Sequence, residues 1–169
     1  NDKYLNSTAY MAYFKYTIGD FVFRAKAIKG QNMSELAMLG GYAVESKDTI
    51  TNVETYTPYN HLYFWINPVY GKKYCIGLFA GYALNLGTDK NTNGSAYYSQ
   101  FPDMKDIEKM YRIAPSFSVT EGKFKACLEF DHTGVFFGTP DKDNRNLIKN
   151  SKLVYNNRVL LSLYYFFGA

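Results

Sequence analysis

The sequence predicts an all-β chain, folded as an antiparallel up-and-down sheet that closes as a transmembrane β-barrel. Three observations predict it. Apolar residues recur with a period of two along most of the chain, the pattern of strands with two unlike faces. Turn signals cut the chain so that connections of two or three residues alternate with connections of 14 to 28 residues. The run before the tail presents Val159, Leu161, Leu163, Tyr165 and Phe167 on one wholly apolar face that ends in an aromatic ring.

The elements follow in order. A first strand is expected at about residues 8–18, rich in Tyr, Phe and Thr, which suit a pleated surface. Gly19-Asp20 turns it into a second, at about 21–30. Residues 31–58 read as a first external loop, in which Ser34 caps a short helical turn that Gly40-Gly41 ends. A third strand, 59–70, turns at Gly71-Lys72 into a fourth, 74–87. The second loop, 88–109, is rich in Asn, Gly, Ser and Asp, with a helical turn expected over 104–109. A fifth strand, 110–120, turns at Glu121-Gly122 into a sixth, 123–138; a third loop, 139–152, precedes the closing strand, 153–167. Pro68 and Pro115 fall inside strands, where each removes a ladder donor and predicts a bulge.

Strands of this length exceed the roughly five or six residues usual in globular sheets. They suit a tilted bilayer crossing. Short turns at one end and long loops at the other are the habit of outer-membrane barrels. The two faces of each strand then sort by chemistry. Phe124, Ala126, Leu128, Phe130 and Phe136 oppose Lys123, Lys125, Glu129 and Asp131. Phe21, Phe23, Ala25 and Ala27 oppose Arg24 and Lys26. Tyr111, Ile113, Pro115, Phe117 and Val119 oppose Arg112, Ser116 and Ser118. A charged face turned to a watery lumen and an apolar face turned to lipid would produce this sorting. Tyr10, Tyr16, Tyr59, Tyr70, Tyr74 and Tyr111, near strand ends, are expected in the aromatic girdles.

Composition agrees. Hydrophobic residues make up 47% of 169, yet mean hydropathy is −0.30, so the apolar residues are diluted by polar ones throughout. No run approaches the roughly 18 consecutive apolar residues of a membrane helix, which excludes a helical membrane protein. The net charge of +4 is mild and Lys72-Lys73 is the one basic pair, so no nucleic-acid partner is expected. Asn1-Asp2-Lys3 opens the chain without a signal peptide; an exported protein would be met here as a mature form or a fragment. Cys75 and Cys127 lie in separate strands without a CxxC, which favours unpaired apolar fillers over a disulfide.

Catalysis finds little to work with. His61 and His132 are the two histidines, and neither has a partner at catalytic or metal-ligand spacing. Asp131 and His132, adjacent in a strand, point to opposite faces, which argues against a triad with Ser116 or Ser118. The run 141–146 is an acidic solvated loop without the Gly and Glu of an EF-hand. No catalytic residue, cofactor or metal is expected.

The C-terminal run resembles the closing strand of Gram-negative outer-membrane barrels, which the barrel-assembly machinery reads; here Gly168 and Ala169 follow the Phe. The stretch Asp20-Phe-Val-Phe-Arg-Ala-Lys-Ala-Ile-Lys-Gly-Gln-Asn32, with Leu39-Gly-Gly-Tyr-Ala43, resembles the strand-then-loop segment of DcaP-type porins. That resemblance implies a trimeric channel of about sixteen strands for small, often anionic solutes, with the first long loop folded inward to narrow the pore.

The chain would thus be the C-terminal portion of a larger barrel, since seven strands is an odd count and complete bacterial barrels have an even one. A strand hidden in 31–46 would make eight. The expected function is an outer-membrane porin passing small hydrophilic, anionic solutes. Its lumen would be lined by Lys15, Arg24, Lys26, Arg112, Lys123, Lys125 and Arg158 against Glu129 and Asp131. Val159, Leu161, Leu163, Tyr165 and Phe167 would be its assembly signal, with outer-membrane lipid and lipopolysaccharide around a homotrimer. The alternatives are a small structural or adhesive eight-stranded barrel, the barrel portion of a TonB-dependent transporter, and, more distantly, a soluble lipocalin-like binder.

Overall fold

A computed structural model describes residues 4–36, 38–97 and 105–168. In chain order the strands are β1 (Ala9–Ile18), β2 (Phe21–Gln31), β3 (Tyr42–Lys47), β4 (Glu54–Gly71) and β5 (Tyr74–Thr88). They continue with β6 (Ala96–Tyr97), β7 (Ile107–Glu121), β8 (Phe124–Asp141) and β9 (Leu147–Tyr165). The chain is all-β: one antiparallel up-and-down sheet in the order β1-β2-β4-β5-β7-β8-β9, with β3 paired to β4 and β6 to β3. The sheet is open along β1 and β9, which do not pair with each other among the described residues. Because seven strands alternate in direction, β1 and β9 run the same way.

The seven long strands are those the period of two predicts. At one end they are joined by tight turns. Gly19 and Gly122 take the left-handed backbone these turns need, with φ of +53° and +56°. At Gly71 (φ +120°) a Cβ would lie 1.9 Å from the Tyr74 carbonyl oxygen, so no other residue fits. The turns are stitched sideways. Gly71 N–H donates to the Asp20 carbonyl, Thr120 N–H to Lys73 and Phe166 N–H to Lys123. Lys72 pairs with Asp20 at 3.0 Å and Lys73 with Glu121. Such exposed pairs contribute about 0–1 kcal/mol each, so the backbone bonds fix this end.

The expected bulges at Pro68 and Pro115 do not form. Phe23 pairs with Pro68 and Leu78 with Pro115, and the register runs unbroken on either side. At Pro68 the reason is visible. Its missing N–H leaves the Leu78 carbonyl without a ladder donor, and Asn67 Nδ2 donates to that oxygen instead, at 3.2 Å. The observed shifts lie at Val44/Ser46, Tyr59/His61, Ile107/Lys109 and Phe137/Thr139, all toward the end carrying the long connections.

That end is more ordered than open loops would be. Residues 42–47 do hold a further strand, but β3 is short and pairs with residues 54–58, lengthening β4 rather than adding a crossing strand. The turn between them is set by Asp48, whose carboxylate accepts from Ile50 N–H (2.8 Å) and Thr51 N–H (2.9 Å). These backbone bonds hold the carboxyl below its ordinary pKa. Tyr42, Tyr56 and Tyr97 cluster with ring centroids 5.2 to 6.4 Å apart. Asp89 accepts from Gln31 Nε2 and Asn60 Nδ2, and buried Asn146 donates to Thr92 at 2.8 Å. Long-range polar partners of this kind are invisible to a local pattern.

The first helical turn is a 3-10 helix, Met33–Leu36, with Ser34 inside it rather than capping it; its hydroxyl donates to Asn32 Oδ1. Of the turn expected over 104–109, Met104 lies outside the described residues and Ile107 already belongs to β7. The closing strand starts earlier than expected, because β8 runs on to Asp141 and β9 pairs along it; Phe167 lies beyond the strand.

Replacing Asn67 with Leu should lower stability by about 0.5–1.5 kcal/mol, the net worth of one hydrogen bond. Urea unfolding of the refolded protein in detergent measures this; an unchanged midpoint would mean that the Asn67 bond does not compensate for Pro68.

Candidate functional site

The candidate site is the charged face of the sheet, and its character depends on the opposite face. On that opposite face, residues 10–18, 21–27, 62–70, 74–84, 111–119, 124–136 and 153–165 of matching parity carry no charged side chain. They are nonetheless exposed. Val159, Leu161 and Leu163 are 68%, 65% and 62% accessible, and Phe14, Phe64, Ile76, Phe117 and Leu128 are exposed too. A water-facing surface rarely presents so broad an apolar patch. Its two polar side chains other than tyrosines are His132 and Asn157, and they satisfy each other. Tyr111 Oη lies 3.1 Å from His132 Nε2, and His132 Nδ1 lies 2.7 Å from Asn157 Oδ1.

Lys15, Arg24, Lys26, Arg112, Lys125, Glu129, Asp131 and Arg158 all fall on the charged face. The pairs Lys15↔Arg24, Ser116↔Glu129, Lys125↔Tyr164 and Asp131↔Arg158 fix that parity. Lys123 does not line the face; it sits in the β7–β8 turn, where the chain reverses. Its backbone carbonyl, not its charge, joins the sheet.

The charges divide into two groups. On β7, β8 and β9 Arg112 and Arg158 are neutralised by Glu129 and Asp131, while Lys125 has no acidic partner among the described residues and lies 6.0 Å from the Tyr164 ring. Asp131, 6% exposed, accepts from Arg112 Nη2 at 2.7 Å and Arg158 Nη2 at 2.9 Å, and Arg112 also reaches Glu129 at 3.1 Å. On β1 and β2, Lys15, Arg24 and Lys26 face the same way with no acidic partner among the described residues. The sequence points to Arg24, Lys26, Arg112 and Lys125 as the strongest field, and the structure takes Arg112 out of it by pairing it with carboxylates. Pairing across strands leaves the β1–β2 group, together with Lys125, as the unpaired positive charge.

Between the two groups lies a row of rings. Tyr13 and Trp65 meet edge-on at 6.4 Å, Trp65 and Phe79 are 6.0 Å apart, and the Arg112 guanidinium lies 5.8 Å from the Phe79 ring. Phe79 reaches over Gly81, where a Cβ would be only 2.9 Å from the ring. Above this row, residues 32–36 and 38–41 fold onto the charged face. Asn32 N–H donates to the Tyr59 carbonyl, Tyr59 N–H to the Gly41 carbonyl, and the Tyr63 hydroxyl to the Leu39 carbonyl. Leu39 packs with Ala83 and Ile107, flanked by Tyr63, Met110 and Val135. Beneath the segment Met33 fills the space over Gly30, and His61 is wholly buried between the rings of Tyr59 and Tyr63. Tyr59 is therefore no girdle residue. Its odd position in β4, shared with His61, Tyr63 and Trp65, puts it on the charged face under this segment, while Tyr10, Tyr16, Tyr70 and Tyr74 are exposed and Tyr111 is half-buried.

Cys75 and Cys127 are free, each directly across from Ser118 on opposite sides. Two strand spacings, about 10 Å, separate them, too far for a disulfide. Asp141 pairs with Lys149, and among the described residues no group of three or more His, Cys, Asp or Glu could hold a metal ion.

No family model matches this chain, and no similar curated protein or solved structure is found.

Asp131→Asn removes the one carboxylate shared by two guanidinium groups. It should cost about 1–3 kcal/mol, below the range for a fully buried pair because both arginines are partly hydrated. Chemical unfolding of the variant in detergent gives the value, and a loss under about 0.5 kcal/mol would mean the network does not brace β7, β8 and β9.

Proposed function

We propose that this chain forms part of the wall of a Gram-negative outer-membrane porin, a passive channel for small hydrophilic anions. The observation that carries this reading is the uncharged, exposed band across all seven long strands, set against a face holding Lys15, Arg24, Lys26 and the Arg112, Arg158, Glu129 and Asp131 network. Lipid on one side and water on the other give both faces their proper solvent. The free backbone edges of β1 and β9 support it as well, because an open edge cannot stand in hydrocarbon. Closing the sheet with antiparallel pairs throughout takes an odd number of further strands, since β1 and β9 run in the same direction. Nine more would give a barrel of about sixteen, wide enough for an aqueous channel, whereas one more would leave an interior filled by side chains.

In this reading residues 32–36 and 38–41 narrow the lumen, and Lys15, Arg24 and Lys26 supply most of the field that favours anions. The apolar residues of β9, together with Phe167, serve as the assembly signal. Lipid and lipopolysaccharide surround the band, and three copies associate as the porin resemblance implies. Passive diffusion asks for no catalytic group, cofactor or metal.

The test is reversal potential in a planar bilayer under a salt gradient. The channel should prefer chloride over potassium. Joint replacement of Lys15, Arg24 and Lys26 by Gln should cut that preference by about threefold or more, while Arg112→Gln should change it little. A cation preference, or insensitivity to the triple replacement, would overturn the assignment.

A further inference from the structure

Under the inward-folded segment lies a trough of about 390 Å³, open along one side. Its walls are Ile28 on β2, Tyr63 and Trp65 on β4, Phe79 and Ala83 on β5, and Met110 on β7, and Met38 and Leu39 roof it. Two cations stand at its lower rim, Lys26 and Arg112, in one cross-strand row with Trp65 and Gly81. Three strand spacings, about 14 Å, separate the two.

The cations are not equivalent. Arg112 is already bound by Glu129 and Asp131. Lys26 is half-buried and has no acidic partner among the described residues, so its charge is available to a ligand. Beside it the wall is apolar from the Trp65 row up to the Tyr63 row, about 7 Å along the strand, and Leu39 and Met38 continue it. Lys15 and Arg24 lie outside the trough's lining, so within it a hydrated dicarboxylate or a sugar would find one unpaired charge and little else to bond. A monoanion with a hydrocarbon body would satisfy both halves of the site.

We propose that this trough binds a monocarboxylate with an apolar tail, such as a medium-chain fatty acid. The carboxylate sits on Lys26 Nζ, and the tail lies over Trp65 and Phe79 beneath Leu39. The proposal goes beyond passive diffusion of hydrophilic anions, because it assigns a saturable side site on the charged face.

Trp65 is the single tryptophan of the chain, so its emission reports on the trough alone. The full chain, refolded in detergent, is titrated with 8-bromooctanoate, whose bromine quenches indole, and with 8-bromooctanol as the uncharged control. The acid should quench saturably at roughly tenfold lower concentration than the alcohol, the ratio expected for one charge-assisted contact. Lys26→Gln should erase that ratio, and Lys26→Arg should keep it, which shows that charge and not folding was lost. Unlabelled octanoate should relieve the quenching, and suberate, its two-headed counterpart, should do so only at much higher concentration. Equal quenching by acid and alcohol in the native protein would overturn the site, as would suberate competing as well as octanoate. The readout needs no conductance, so a protein that conducts anions without saturable quenching would overturn this site and leave the channel standing.

Discussion

A β-strand gives each side chain only two destinations, and the antiparallel ladder makes neighbouring strands agree on which is which. Everything else in this structure depends on that agreement. A slip of one residue on any strand would carry arginines into the apolar band and phenylalanines onto the charged face. The ladder is accordingly kept regular where the two faces differ most. The four register shifts lie toward the end with the long connections, and the interior prolines are absorbed without one. Asn67 makes this possible at Pro68 by supplying the donor that proline lacks.

The same alternation creates the electrostatics. With charges excluded from one face, they concentrate on the other and meet across strands. Asp131 holds two arginines together, so the Arg112, Arg158, Glu129 and Asp131 network braces β7, β8 and β9 and leaves Lys125 as the unpaired cation of that wall. Lys15, Arg24 and Lys26 on β1 and β2 have no such partner among the described residues. A field on one wall and a neutral network on the other is a different object from a uniformly basic lumen. It explains why a half-buried lysine is left free beside a row of aromatic rings.

Much of this was legible in the sequence, for a specific reason. Period-two patterning and turn residues are local, and they placed all seven long strands and both faces, down to His132 on the apolar side. What was not legible is what depends on contact between distant segments. β3 and the upper half of β4 are held by pairing with each other inside 31–58, a contact that the local pattern of that segment does not show. Tyr59 reads as a girdle tyrosine from its place at a strand end, but its alternation with His61 and Trp65 puts it on the charged face, where a distant segment covers it. Lys123 has the right parity for the charged face, but parity means nothing inside a turn. The trough escaped notice because Phe79, Trp65 and Leu39 come from three separate segments. Only the lone tryptophan, at a charged-face position opposite Lys26, hinted at it.

The central claim is that one face of the sheet meets hydrocarbon and the other meets water. Spin labels placed one at a time at residues 158–163 of β9, in protein reconstituted into lipid vesicles, test it most directly. Collision rates with oxygen, which concentrates in lipid, should peak at Val159, Leu161 and Leu163. Rates with a water-soluble nickel chelate should peak at Arg158, Leu160 and Ser162. Two opposed oscillations of period two are the predicted result, with Leu160 the telling position because it is apolar yet lies on the charged face. Oxygen and nickel profiles that rise and fall together, or nickel access greatest at the odd positions, would contradict the account.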